Sequence, residues 1–163
     1  MKQIKPKSTD KKVTNNITYG LKELKVLKFA LVEPLKDLTE NFNIKNLKVS
    51  HNLKLGHNKE KKKIDIILSI VYHYKHKKDA FVLIDFMFLA SFMISNFKSV
   101  IIFKNNNINI PNDLLSQLVS ISYSSARGVV FEKTQGSFLN QYILPLIDVN
   151  ELINNTIKNK PNK

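Results

Sequence analysis

The stretch from Ile64 to Ile94 reads IDIILSIVYHYKHKKDAFVLIDFMFLASFMI, and its pattern decides the fold. Ile64, Ile66, Leu68, Ile70, Tyr72 and Tyr74 recur at every second position, with Asp65, Ile67, Ser69, Val71, His73 and Lys75 between them. Side chains alternate across a β-strand, so a period of two marks a strand with unequal faces. The polar run Lys75 to Asp79 reads as a hairpin loop, and Ala80 to Ile94 as the returning strand. That strand is apolar on both sides, with Phe81, Leu83, Met87 and Leu89 on one and Val82, Ile84, Phe86, Phe88 and Phe92 on the other. Such a strand is covered on both faces, by its own helices, another subunit or a ligand. Helices on one side of a sheet cover only one of them, so a homo-oligomer is expected.

Upstream, Leu47, Val49, His51, Leu53 and Leu55 alternate with Lys48, Ser50, Asn52 and Lys54, another half-buried strand. Gly56 and the charged run His57 to Lys63 read as the turn after it. Leu21 to Val32, LKELKVLKFALV, fits either a strand or a short amphipathic helix, and Pro34 ends it in both cases. Downstream, Ile110-Pro111-Asn112-Asp113 is a helix start, with proline near the first helical position and an acid in the first turn. The helix runs through Leu114, Leu115, Leu118, Val119 and Ile121 to Ala126-Arg127-Gly128. Ser116, Ser120, Ser122, Ser124, Ser125 and Ala126 give it a small-residue side, and Ser122, Ala126 and Arg127 are the expected oligomer contacts. Pro145 then precedes Asp148, an N-cap for a last helix from Val149 to about Ile157. Strands followed by helices give an α+β fold, a four-stranded antiparallel sheet followed by two helices. Residues 1–18 are expected to be a disordered basic lead, 19–157 one domain and 158–163 a frayed tail.

The net charge of +13 is unevenly placed, since residues 1–63 carry sixteen lysines against six acids. A basic half can mark an anionic partner. Lys, Asn and Ile are enriched throughout, however, and Arg127 is the single arginine, whereas readers of bases and phosphates favour that side chain for its bidentate fork. Nucleic-acid binding is therefore a minor reading. No cysteine occurs, which excludes disulfides and thiolate metal sites. The polar, lysine-rich start shows no apolar signal segment, and the longest apolar run holds Asp85 and falls short of the ~20 residues a spanning helix needs. A cytoplasmic protein without a membrane span is expected.

Catalytic chemistry is hard to find. His51 lies on the apolar face of its strand, His73 and His76 flank a solvated hairpin, and no three ligands converge to hold a metal. The acids are isolated apart from Asp148 and Glu151, which read as a cap and a first-turn acid. Four scattered glycines make no phosphate loop. Asp85 reads as the partner of a nearby lysine or as a group at a subunit boundary, and Arg127 as an interface anchor or a helix-end charge. Neither an enzyme nor a cofactor is expected.

The C-terminal third resembles the SecB family of export chaperones. Ile110-Pro111-Asn112, Ala126-Arg127, Gly136-Ser137-Phe138 and Leu144-Pro145 are similar, in order, to that family's Pro-Asn, Ala-Arg, Gly-Thr-Phe and Leu-Ala-Pro landmarks. With four preceding strands, the resemblance covers about Leu21 to Ile157. It implies dimers or tetramers and ATP-independent holding of unfolded or precursor polypeptides. An apolar channel beside the last helix is implied too, so Phe138, Leu139, Tyr142 and Ile143 are the expected peptide contacts, with Phe86 and Phe88. The alternative for the loop residues is that they pin the loop to the sheet. Family members present acids to the SecA motor, whereas this chain is basic and Asn159 to Lys163 carries none. SecA is thus an open partner, and an adaptor for one dedicated client, such as an antitoxin, is the variant reading.

Overall fold

The computed structural model describes residues 17–104 and 107–158. Residues 1–16 of the expected lead and 159–163 of the expected tail lie outside them. The ambiguous N-terminal segment is a strand, β1 (Tyr19–Leu31), because the backbone of a later strand is available to pair with it. After β1 come a short helix, α1 (Lys36–Glu40), and the strands β2 (Leu47–Asn58), β3 (Lys63–His76) and β4 (Asp79–Ile94). They form an antiparallel sheet in the order β1-β4-β3-β2, so β4 holds both β1 and β3 and the connection over residues 32–46 crosses from one edge to the other.

The registers show how local chemistry sets the turns. Gly56 belongs to β2 rather than to the turn expected there, and a Cβ at this position would stand 3.2 Å from the Asp65 Cβ on β3. The chain reverses over residues 59–62, where the Asn58 side chain accepts from the Lys61 amide at 2.8 Å and Lys62 takes a φ of 51°. Only Lys77 and Lys78 separate β3 from β4, with Lys77 at a φ of 54°. A bulge between Tyr72 and His73 then shifts β4 by one residue, so Phe81 pairs with Tyr74 and Val82 with His73. The face expected for Phe81 is therefore exchanged with that of Val82, since one slipped residue inverts side-chain direction.

Beyond β4 lie α2 (Phe97–Val100) and a small hairpin of β5 (Ile102–Lys104) and β6 (Asn107–Asn109), which the Asn-rich sequence gave no reason to expect. Two helices follow, α3 (Asn112–Lys133) and α4 (Val149–Lys158). The α4 start is capped as anticipated, because Asp148 Oδ1 accepts from the Asn150 amide at 2.8 Å and the Glu151 amide at 3.3 Å.

One face of the sheet is the core. Ile64, Ile66, Leu68, Ile70 and Tyr72 of β3 and Ile84, Phe86, Phe88, Ala90 and Phe92 of β4 are buried against Leu114, Leu118, Val119, Tyr123, Ala126 and Val130 of α3. Each large side chain so buried contributes about 1.5–3 kcal/mol relative to exposure, which makes this layer the main source of stability. Two expectations are corrected here. Phe86 and Phe88 are 0% and 1% exposed, inside the core and closed to any peptide. Ser122 and Ala126 are each 0% exposed on the sheet side of α3, and Ser122 returns its hydroxyl to the Leu118 carbonyl, so neither reaches another subunit. On the opposite face Ile67, Val71, Met87 and Leu89 are half-buried, outside this core, and no described helix packs there.

Candidate functional site

The segment between α3 and α4 begins with a 3-10 turn at Phe138–Gln141, where the Ser137 hydroxyl accepts from the Leu139 amide. Exposed apolar tips alone would leave it loose, but three side chains from β3 and α3 fix its carbonyls. Tyr72 donates to the Tyr142 carbonyl at 3.3 Å, Arg127 Nε to that of Leu144 at 2.9 Å, and Tyr123 to that of Pro145 at 2.9 Å. Arg127, read from the sequence as an interface anchor or helix-end charge, is therefore an internal clamp. The Tyr123 hydroxyl has one proton, which goes to Pro145, so His51 Nε2–H donates to the Tyr123 oxygen across 3.0 Å.

So held, the segment stands off from β2 and leaves a groove of about 1220 Å³. Its floor is β2 from His51 to Leu55, and its walls are Ile108 to Ile110, Leu146 and Ile147, and Leu152 with Thr156 of α4. Asp148 and Glu151 put two carboxylates at the mouth. β2 is an edge strand of the sheet, so its outer backbone row is free of any described strand. Leu146 is 81% exposed, an apolar side chain left in water at the rim.

At the other end of β2, where Leu47 pairs with Tyr74, the crossing connection lays Phe42 on Tyr74 with centroids 4.2 Å apart. Phe138 and Tyr142 close around Phe42 at 5.1 and 4.8 Å. Phe138 and Tyr142 are half-buried with ring centroids 5.6 Å apart and Ile143 is exposed, but none of these three expected contacts lines the groove. Leu139 is 1% exposed and anchors the turn in the core. Phe42 was not singled out in the sequence, although a lone aromatic in the polar run Thr39 to Asn46 is a signal of something covering it.

Burial sets the ionisation here. His51 is held below its ordinary 6.5 by desolvation. Burial pushes the Tyr123 hydroxyl up to about 12, with Arg127 opposing, and raises Tyr72 for the same first reason. Tyr142 is raised by burial and then by Tyr74. Among the described residues no three His, Asp or Glu side chains gather as metal ligands, and no helix is long and apolar enough to cross a membrane.

No known family signature matches the sequence, and no curated protein matches it. Solved structures are similar at low identity. A SecB-like chaperone of Mycobacterium tuberculosis, in complex with a peptide from an antitoxin, shares 12% identity over 80% of this chain and 90% of its own, with a TM-score of 0.49. A protein of unknown function from Streptococcus agalactiae shares 17% identity over 73% of this chain and 89% of its own, with a TM-score of 0.35. Likeness at this level carries no weight for what this chain binds.

The His51 environment gives a pH dependence with a definite sign. The unfolded chain takes up a proton as pH falls through 6.5 and the folded chain resists it, so stability is full above 6.5 and declines below it. Melting temperatures at pH 8.0 and 5.5 should show this decline, and His51→Gln should flatten it; an equal decline in the variant would assign it to other groups.

Proposed function

We propose that this chain is an ATP-independent holding chaperone that takes extended, apolar segments of non-native polypeptide into the groove along β2. The groove itself carries the reading, because a free strand edge lies beside apolar walls. An extended segment adds main-chain hydrogen bonds to an edge strand with little regard to sequence. Its alternate side chains enter the walls and bury apolar area at about 25 cal/mol per Å². From His51 to Leu55 the floor spans about 14 Å, room for about four residues of client. The landmarks at Pro111, Arg127, Phe138 and Pro145 support the same reading, and one of them, Arg127, is a clamp on the segment beside the groove.

Self-association belongs to this proposal. β1 is the other edge strand, and Leu21, Leu24 and Leu27 are 44, 46 and 42% exposed along it. Exposed apolar edges pair with further strands unless something covers them. The outward side of α3 carries Ser120, Ser124 and Gly128 four residues apart, and a Cβ at Gly128 would meet nothing. That side replaces Ser122 and Ala126 as the place where a second helix fits. Sedimentation at micromolar concentration should show a dimer or larger species, and a stable monomer would contradict this.

The groove is tested by changing residues that support no core. Leu146 lines the groove at 81% exposure and Ile143 is 58% exposed on the segment leading to it, so Ile143→Ser with Leu146→Ser should leave the melting temperature within about 2 °C. Affinity for a reduced, carboxymethylated test protein should fall about tenfold or more. Unchanged suppression of aggregation by a folded double variant would place the client elsewhere, and binding of one client with no response to other unfolded chains would make the protein a dedicated adaptor.

A further inference from the structure

The sheet face turned away from the helices is a second surface, organised in rows by the strand registers. One row reads Lys25, Leu89, Ile67, Lys54 from β1 to β2, and the next reads Lys28, Met87, Ser69, Asn52. Ala30, Asp85, Val71 and Ser50 follow, then Val82, His73 and Lys48. The central strands thus expose an apolar strip of Leu89, Ile67, Met87, Val71 and Val82, and the edge strands bear lysines. Beyond the polar row of Ser91 and Asp65, Met93 is 42% exposed, which puts both methionines beyond Met1 on this face. Methionine is the adaptable apolar side chain of binding surfaces.

The charges on the face are sorted. Asp85 is ion-paired with Lys28, and Asp65 is bound by Lys63 at 3.2 Å and by the Ser91 hydroxyl. Both central acids are therefore neutralised within the chain. Lys25, Lys48 and Lys54 on the rims form no ion pair among the described residues, against one unpaired acid, Glu23. An apolar strip between uncompensated cations fits a partner that is apolar in the middle and acidic at its sides.

Dimensions narrow this further. The rims stand three strand spacings apart, about 14 Å, and an α-helix with its side chains is about 10–12 Å across. From Val82 to Leu89 the strip runs about 20 Å, six residue steps along β3 from His73 to Ile67 and the length of a helix of about 13 residues. A second copy of this chain fits poorly, because stacking the face on itself sets lysine rims against lysine rims. Phosphate-rich surfaces fit less well than a helix, since the unpaired cations of the face sit only at its borders and it offers no arginine.

We propose that this outer face is a docking site for an acidic amphipathic helix of a partner protein, meeting the client groove only at Asn52 and Lys54 of β2. The probe is a synthetic helix of about 18 residues with a leucine stripe flanked by glutamates, compared with its lysine-flanked counterpart, both titrated onto the full chain. The glutamate form should bind at least tenfold more tightly. Lys25→Glu with Lys48→Glu, both exposed positions away from the groove lining, should reverse that preference, and Lys25→Gln with Lys48→Gln should weaken it without reversal. Met87→Asn should weaken binding at least fivefold through the strip itself. Affinity for the carboxymethylated test protein should be unchanged in every one of these variants, so failure of the groove reading and failure of this one are read separately. Equal binding of the two helices, or a preference that survives the lysine reversal, would overturn the proposal. So would lysine-dependent binding of phosphatidylglycerol vesicles or a single-stranded oligonucleotide with no response to the helix, which would assign the face to that anionic surface instead.

Discussion

The pairing of β4 with two partners at once is the constraint on which the rest of the structure depends. β4 carries β3 over the full length of one edge and β1 over most of the other, and its inward row of Ile84, Phe86, Phe88, Ala90 and Phe92 is almost wholly excluded from water. Phe86 and Phe88 stack on each other with ring centroids 5.9 Å apart, and Phe29 and Tyr19 of β1 meet Phe86 and Phe92 edge-on. Because the strand is central, β1 and β2 must be the edges, and the link between them must cross the sheet. That crossing puts Phe42 at the start of β2 and leaves the β2 edge open beside α4. The groove is thus a consequence of strand order rather than of any single residue.

A second consequence is that the sheet works on both sides with different chemistry. Inside, large apolar residues meet α3, and the polar atoms among them act on the loop, as Tyr72, Tyr123 and Arg127 do. Outside, the apolar residues are smaller or more flexible and are spaced by acids that lysines neutralise. An edge strand has to serve both sides at once. β2 does so by turning His51, Leu53 and Leu55 toward the groove and Lys48 and Ser50 toward the outer face, while Asn52 and Lys54 of its outer row border both.

Much of this was legible in the residues. The alternation in β2 and β3 fixed their faces, and Pro111, Asp113 and Asp148 fixed the helix starts. β1 was not decidable locally, because Leu21, Leu24, Leu27 and Phe29 satisfy a helical period nearly as well as a strand's, and pairing with β4 decided it. The bulge at Tyr72 left no trace in the pattern, since β4 is apolar at both parities and a one-residue slip is silent there. In α3 the error was one of periodicity. Ser122 and Ala126 lie on the same four-residue ladder as Leu118 and Val130, all within the core, whereas Ser120, Ser124 and Gly128 form the outward ladder. Size alone suggested an interface; the spacing pointed to the core. Phe138 and Tyr142 were found as apolar residues in a loop, and Phe42 was missed because its partners are distant in sequence.

Hydrogen exchange of the chain with and without an unfolded test protein addresses the central claim most directly, since main-chain pairing leaves its mark on amides. If an extended client lies on the free edge of β2, amides within Leu47–Asn58 should slow on binding, together with those of residues 142–156. Residues of β1 and the 3-10 turn anchored by Leu139 should change little. Protection confined to β1, or to no strand at all, would contradict the account and remove β2 from the binding site.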